Sequence, residues 1–258
     1  MLVHLPLVDG PGGDRPSVAA RERDALTAAT AVVTTSEWTR TRLVGRYELA
    51  GNRVRVVLPG VDRADAASGT EDGGELLCVA AVAPHKGHDV LVTALSAIRD
   101  LNWRCRCVGS LQLDPDFAAG VQAAAADAGL HGRLIMEGTL HPDDLDPVYR
   151  ASDLLVHPSR GETYGMVIAE SLARGLPVFT TDTGGTREAL GSDPDGRPPG
   201  ILLRAGDAGA LAAELRRWLT HPELRADLRE RAAARRAGLP SWSHTVDEFD
   251  RVLTGVAA

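Results

Sequence analysis

The chain has 258 residues, and its 28 basic residues stand against 35 acidic ones, a formal charge of −7. That length allows roughly one to two domains with a sizeable core, and 44% hydrophobic with 24% charged residues excludes a disordered or fibrous chain. A pI near 5.6 argues against a dedicated nucleic-acid binder, and no apolar run approaches the ~20 residues of a membrane span.

The first sixty residues alternate short apolar runs with helical segments. Val3–Leu7 reads as a strand, Ser17–Ala29 as a helix and Ala31–Thr34 as a strand. Ser36 is placed to cap a helix running to about Tyr47, and Val54–Leu58 reads as a strand closed by Pro59-Gly60. Three strands make a poor independent sheet, so residues 1–62 are expected to be the remnant of a larger α/β domain. The start, Met1 to Pro6, has no basic region typical of a secretory signal and looks like the inside of a strand, as though something normally precedes it. Asp62–Gly74 is polar and Gly-bearing and reads as a linker.

From residue 63 to 258 the same grammar continues at greater length. Strands are expected at Leu76–Val82, Arg104–Val108, Arg133–Met136, Asp153–His157, Leu176–Thr180 and Ile201–Leu203. Helices are expected at His88–Ile98, Asp116–Ala128, Asp144–Ala151 and Met166–Arg174. Strands spaced by helices imply right-handed βαβ units, hence a Rossmann-like parallel sheet with helices on both faces. Helical stretches Asp207–Thr220 and Pro222–Arg236 follow, and Pro240 separates them from a last helix over 241–253. The arginines from Arg225 to Arg236 read as a solvated helix face, or else as a surface for phosphate or an acidic partner. Cys78, Cys105 and Cys107 lack disulfide or metal-ligand spacing; the last two fit alternate strand positions, which suits a reducing cytoplasm.

Several signatures are missing: GxGxxG after the first strand of the long region, GxxxxGK[ST], HExxH and CxxC. A dinucleotide dehydrogenase, a P-loop NTPase and a metal site are therefore not expected. What is present follows the strand ending at His157: Gly161-Glu162-Thr163-Tyr164-Gly165-Met166-Val167-Ile168-Ala169-Glu170, opening a helix. In an open parallel sheet ligands sit beyond the carboxyl ends of the strands. Free backbone N–H groups of Gly165, Met166 and Val167 there could hold an anion such as a diphosphate. Glu162 in the loop and Glu170 about one turn into the helix are expected to reach the same pocket and accept hydrogen bonds from sugar hydroxyls. Lys86 is the sole lysine beside 27 arginines. It lies in Pro84-His85-Lys86-Gly87-His88, after the first strand of the long region, on the same rim, where it could neutralise a diphosphate.

Together these residues resemble the retaining, nucleotide-sugar-dependent glycosyltransferases of family 4, which have the two-domain GT-B fold. The matching pieces include Pro59-Gly60-Val61-Asp62, Pro84 to Leu91, Glu137-Gly138-Thr139-Leu140, Tyr149 with Ala151-Ser152-Asp153, and His157-Pro158-Ser159. The Glu162…Glu170 motif, Gly175-Leu176-Pro177-Val178, Gly184-Gly185-Thr186-Arg187-Glu188 and Ser241-Trp242-Ser243 complete the series, in order from about Val54 onward. The resemblance implies that Lys86 binds the donor diphosphate, that Glu162 faces the donor sugar and that Glu170 binds the ribose. It further implies that Thr163, Tyr164, Gly165, Met166 and Val167 hold phosphate and sugar through their backbone, and that Leu140 lies near the nucleobase. His4 falls where the family often has an acceptor-side histidine. Lys86, Glu162 and His4 are thus the expected catalytic residues. Two departures stand out: Ala81 replaces an Arg usual in the family five residues before the Lys, and most of the N-terminal domain is lacking.

The expectation is a metal-independent transferase moving a sugar from a UDP- or GDP-sugar to an acceptor hydroxyl with retention, without a further cofactor. The acceptor stays open among a glycan, a lipid and a small molecule, as does peripheral contact with a membrane. Two other readings are a non-catalytic nucleotide-sugar-binding fragment that needs a separate N-terminal half, and a nucleotide-sugar epimerase.

Overall fold

The computed structural model describes residues 1–10 and 15–257. Two parallel sheets form. The smaller joins β1 (Leu2–Val3), β2 (Val32–Thr34) and β3 (Val54–Val56) in sequence order. Helices α1 (Pro16–Ala28) and α2 (Glu37–Tyr47) close a small core of Val3, Leu26, Val32, Leu43 and Val54. Ser36 caps α2 as expected, its Oγ accepting the Thr39 N–H at 3.0 Å. The expected strand Val3–Leu7 is cut to Leu2–Val3 and gives way to a 3-10 turn over Leu7–Asp9. Pro6 has no N–H for a ladder, and the buried carboxylate of Glu22 instead collects the Leu7 N–H at 2.6 Å.

The larger sheet holds β4 (Glu75–Val79), β5 (Arg104–Val108), β6 (Leu134–Gly138), β7 (Leu154–His157), β8 (Val178–Thr181) and β9 (Gly200–Leu203). Their spatial order is β6-β5-β4-β7-β8-β9, all parallel. The order therefore reverses between β4 and β7, which makes a topological switch point there. Both faces are covered, and the strands show it residue by residue. Leu76, Cys78, Leu154 and Val156 join one core beneath α3 (His88–Ser96), α4 (Pro115–Asp127) and α8 (Ala208–Thr220). Their neighbours Leu77 and Leu155 join the other, beneath α5 (Pro142–Arg150), α6 (Met166–Ala173) and α9 (Pro222–Arg236). The expected strands and helices match these within a few residues. A short helix, α7 (Thr186–Leu190), was not expected.

Two expectations need correction. The stretch 62–74 is not a loose linker but an ordered strap. Asp153, fully buried, accepts the Thr70 N–H and hydroxyl at 2.5 Å each, the Glu75 N–H at 2.9 Å and Arg229 at 2.7 Å. Several arginines of α9 are spent on that strap and do not stand as a freely solvated face. Arg225 donates to the Trp218 carbonyl at 2.8 Å, Arg229 to that of Thr70 at 2.8 Å, and Arg236 to that of Ala64. A guanidinium presents a fork of donors, so it can fasten a strap that has no ladder of its own. The last helix, α10 (Trp242–Ala257), runs four residues beyond the expected end at 253. Its first turn returns to the segment that follows β3, with the Thr245 hydroxyl bonded to the Leu58 carbonyl at 2.9 Å.

Candidate functional site

The site is built on the switch point. After β4 the chain turns through Pro84–Lys86, and after β7 it enters the loop that opens α6. Neutral hydrogen bonds tie the two loops together. The Ser159 hydroxyl bonds to the His85 carbonyl at 3.0 Å, and the Arg160 N–H reaches the same carbonyl at 2.7 Å. Arg160 also forms a two-point ion pair with Asp89 at 2.8 and 2.6 Å. A third segment presses on the loop from the far side. The Gly185 N–H donates to the Glu162 carbonyl at 3.1 Å, and at Gly184, with φ +58°, a Cβ would sit 1.5 Å from that same oxygen. Only glycine allows this approach.

The loops bring Lys86 and Glu162 together. Lys86 Nζ lies 2.7 Å from Glu162 Oε2, and both side chains are about four-fifths buried. His157, the last residue of β7 and almost fully buried, places its Nε2 3.4 Å from the same oxygen. Burial works to raise the pKa of Glu162, but the imidazole of His157 and the ammonium of Lys86 outweigh it and hold the carboxylate at about 2. These groups line a cavity of about 330 Å³, completed by Thr163 to Val167 on one side and by His4, Thr35 and Pro59 from the smaller sheet. Helix α6 starts at Gly165, which takes φ +101°, and no side chain caps it. Its first N–H groups therefore face the cavity unspent, with the positive end of the helix dipole behind them.

Glu170 does not share that cavity, contrary to expectation. It lies four residues beyond Met166 on the same face of α6 and opens, with Leu140 and Met166, on an adjoining cavity of about 770 Å³. Met166 is common to both. The Glu170 carboxylate accepts the Tyr149 hydroxyl at 2.9 Å. Burial, with the Glu170 charge beside it, pushes the Tyr149 phenol well up, so it stays a donor. Arg174 lies 4.4 Å over the Tyr149 ring and pairs with Asp146 at 2.7 Å.

Of the expected residues, Lys86, Glu162, His4 and the Thr163–Val167 backbone thus converge on one cavity, and Glu170 with Leu140 on its neighbour. Ala81 lines the first cavity, and among the described residues no arginine replaces it there. Partial loss of solvent around the His85 ring, with the Lys86 charge beside it, lowers its pKa, so it is a poor stand-in for a fixed cation. Sequence reasoning gave His157 and Tyr149 no role. Both occupied recognisable places, His157 at a strand's carboxyl end on the rim and Tyr149 one helix away from Glu170.

Elsewhere, Cys78, His88 and Cys107 bring their sulfur and nitrogen atoms within 4.8 Å of one another. All three are buried, and both thiols are pushed well up, Cys78 by a hydrogen bond with Cys107 and by burial, Cys107 by a hydrogen bond with Cys105 and by burial. They stay protonated and pack as core. No helix of the described residues is long and apolar enough to cross a membrane.

Comparison with known proteins agrees with this architecture. A D-inositol 3-phosphate glycosyltransferase of Acidothermus cellulolyticus is 34% identical over 260 residues, covering 91% of this chain and 56% of the relative. The D-inositol 3-phosphate glycosyltransferase 1 of Catenulispora acidiphila is 31% identical, covering 92% and 60%. The chain thus spans somewhat over half the length of the curated relatives it matches. The crystal structure of Anabaena HepE in complex with UDP-glucose superposes with a TM-score of 0.84 at 19% identity, over 98% of this chain and 72% of that one. This likeness fixes the fold, the α/β arrangement of GT-B glycosyltransferases. The family model for glycosyl transferases group 1 matches residues 62–235, the whole span from the strap to the end of α9, and the chain belongs to that family.

Proposed function

We propose that this chain carries the donor-binding part of a retaining family 4 glycosyltransferase, residues 63–258, with residues 1–62 contributing an acceptor-side remnant. The observation that carries the reading is the Lys86–Glu162 pair, at 2.7 Å, set beside the uncapped N-terminus of α6 at the switch point of the sheet. A nucleoside diphosphate placed there meets an ammonium and a fan of backbone N–H groups, the donors that suit an anion at a helix end. As the bond from sugar to diphosphate breaks, negative charge grows on the diphosphate, and the same groups stabilise it without reorganising. Glu162 faces the sugar, the Glu170 carboxylate accepts the ribose hydroxyls, and Leu140 borders the base. The acceptor hydroxyl attacks from the face the leaving group departs, which retains configuration, with His4 on the acceptor side.

The donor is a UDP- or GDP-sugar in this reading; the Anabaena neighbour holds UDP-glucose, which favours UDP. Because these relatives are D-inositol 3-phosphate glycosyltransferases, D-inositol 3-phosphate is one acceptor to try among small molecules, glycans and lipids. No metal or further cofactor enters the scheme, and a cytoplasmic setting is part of the proposal. Isothermal calorimetry with UDP and with GDP tests it: one of them binds, and Lys86→Ala abolishes or sharply weakens that binding. No heat with either nucleotide, or binding indifferent to Lys86, overturns it.

A second reading is a sugar-nucleotide-binding module without transfer of its own. One observation favours it: Lys86 is the sole lysine or arginine lining the cavity among the described residues, and it is already engaged by Glu162. Donor hydrolysis and transfer assays on the purified chain separate the two, since a binding module saturates with nucleotide yet turns over no donor.

A further inference from the structure

Lys86 cannot serve two anions equally. Its ammonium is held by Glu162 at 2.7 Å, and among the described residues no other lysine or arginine lines the cavity. A diphosphate that draws Lys86 toward itself leaves Glu162 as a carboxylate some four-fifths buried and short of a partner, an arrangement that strongly opposes binding. The structure holds one group in reserve. His157 is 1% exposed, and its Nε2 stands 3.4 Å from Glu162 Oε2, near enough to favour the carboxylate but without a well-directed hydrogen bond to any described residue. A buried polar atom without a partner is costly unless another state of the protein uses it.

We infer that His157 is a positioning residue that takes over the Glu162 carboxylate when Lys86 turns to the donor's diphosphate. The exchange needs little movement. His157 is anchored at the end of β7, where its backbone pairs with Thr180 and its carbonyl accepts the Thr180 hydroxyl at 3.2 Å. Glu162 sits on the adjoining loop, whose carbonyl is fixed by the Gly185 N–H. A small rotation of the carboxylate therefore closes the gap to the imidazole N–H while the backbone stays in place. The ammonium of Lys86, on a flexible four-carbon stem, is the partner able to leave. Glu162 then stays charged and oriented toward the sugar instead of following Lys86. This inference rests on the donor-binding reading above.

A double-mutant cycle read by UDP and GDP calorimetry tests it. His157→Leu, which cannot donate a hydrogen bond, is expected to weaken nucleotide binding about tenfold, the scale of a hydrogen bond to a charged group. His157→Gln, whose amide can reach the same oxygen, is expected to restore most of the loss. In a Glu162→Gln background no charge is left stranded, so His157→Leu is expected to change affinity less than about twofold. Equal losses in both backgrounds mean that His157 acts only through general packing, and the inference falls. It falls equally if His157→Leu binds as tightly as the unaltered chain. If the unaltered chain binds neither nucleotide, the donor reading itself is wrong, which that control shows before any variant is compared.

Discussion

The two cavities that meet at Met166 hold their carboxylates in different ways. Glu162 is gripped by a long ammonium with an imidazole waiting beside it, so its partners can be exchanged. Glu170 is gripped by the Tyr149 phenol, a rigid side chain that is itself 1% exposed and stacked under Arg174. The first arrangement suits a group that must respond when an anion arrives. The second suits one whose direction is settled before the ligand enters, so that no ordering cost falls on binding. Charge around the first cavity is therefore a reserve to be redistributed, whereas in the second it is part of the scaffold.

The harshest way to break this contrast is to move the Glu162 loop itself. Gly184→Ala would drive a methyl to within 1.5 Å of the Glu162 carbonyl at a backbone angle of +58°. Overpacking and left-handed strain together predict a loss of about 3 kcal/mol in urea unfolding, and nucleotide binding should vanish with it. An unchanged unfolding midpoint would show that the loop is not pinned there. Acid gives a comparable effect of known sign. The pKa of Glu162, about 2, lies below the ordinary 4.5, so its contribution to stability is complete above 4.5 and is lost as pH falls toward 2. The shift corresponds to about 3 kcal/mol. Melting temperatures taken from pH 6 to pH 2.5 should fall more steeply for the unaltered chain than for Glu162→Gln; parallel curves would disprove the assignment.

Next in size is Lys86→Ala. It deprives the diphosphate of its ammonium and should cost about tenfold to a hundredfold in UDP or GDP affinity. Because His157 remains, part of the Glu162 charge stays matched, so the loss of stability should be smaller than a buried carboxylate left alone would suggest. A large fall in melting temperature at pH 7 would show that the imidazole gives no support.

The layered fold was legible because burial on both sheet faces leaves an unmistakable trace. Runs such as Leu76-Leu77-Cys78 and Leu154-Leu155-Val156 have no polar alternation, and helical stretches separate them. Lys86 and the two glutamates were legible because sheet topology puts strand ends on one rim. The strap was not, since Thr70 and Gly73 look like linker residues until Asp153 and Arg229 are seen to bind the first and Trp218 the second, all far along the chain. The separation of Glu162 from Glu170 was also hidden. Spacing in sequence says that both can reach the rim, but whether one cavity or two opens there depends on where Met166 points. His157 escaped for a related reason: a histidine ending a buried strand is an ordinary core residue unless its ring nitrogen is seen to lack a partner.

A milder probe addresses the second cavity. Tyr149→Phe removes one hydrogen bond from Glu170 and keeps the ring under Arg174. If Glu170 is held ready for ribose hydroxyls, UDP affinity should fall about threefold to tenfold, while that of a 2′,3′-dideoxy analogue stays put. Equal losses for both nucleotides would mean that Tyr149 acts by packing alone.

The smallest expected effect concerns the side of the first cavity built from the other sheet. His4 is exposed and lines that cavity together with Thr35 and Pro59, across from Lys86 and Glu162. On the proposed division the donor's diphosphate belongs to the larger sheet alone, so His4→Ala should leave UDP or GDP affinity within about twofold, as expected for an exposed side chain outside a binding contact. Transfer to an acceptor should fall, with donor hydrolysis little changed, because an acceptor-side group meets the attacking hydroxyl and not the nucleotide. A tenfold loss of nucleotide affinity would place His4 among the donor's own contacts, and the assignment of the two sheets to two substrates would then have to be abandoned.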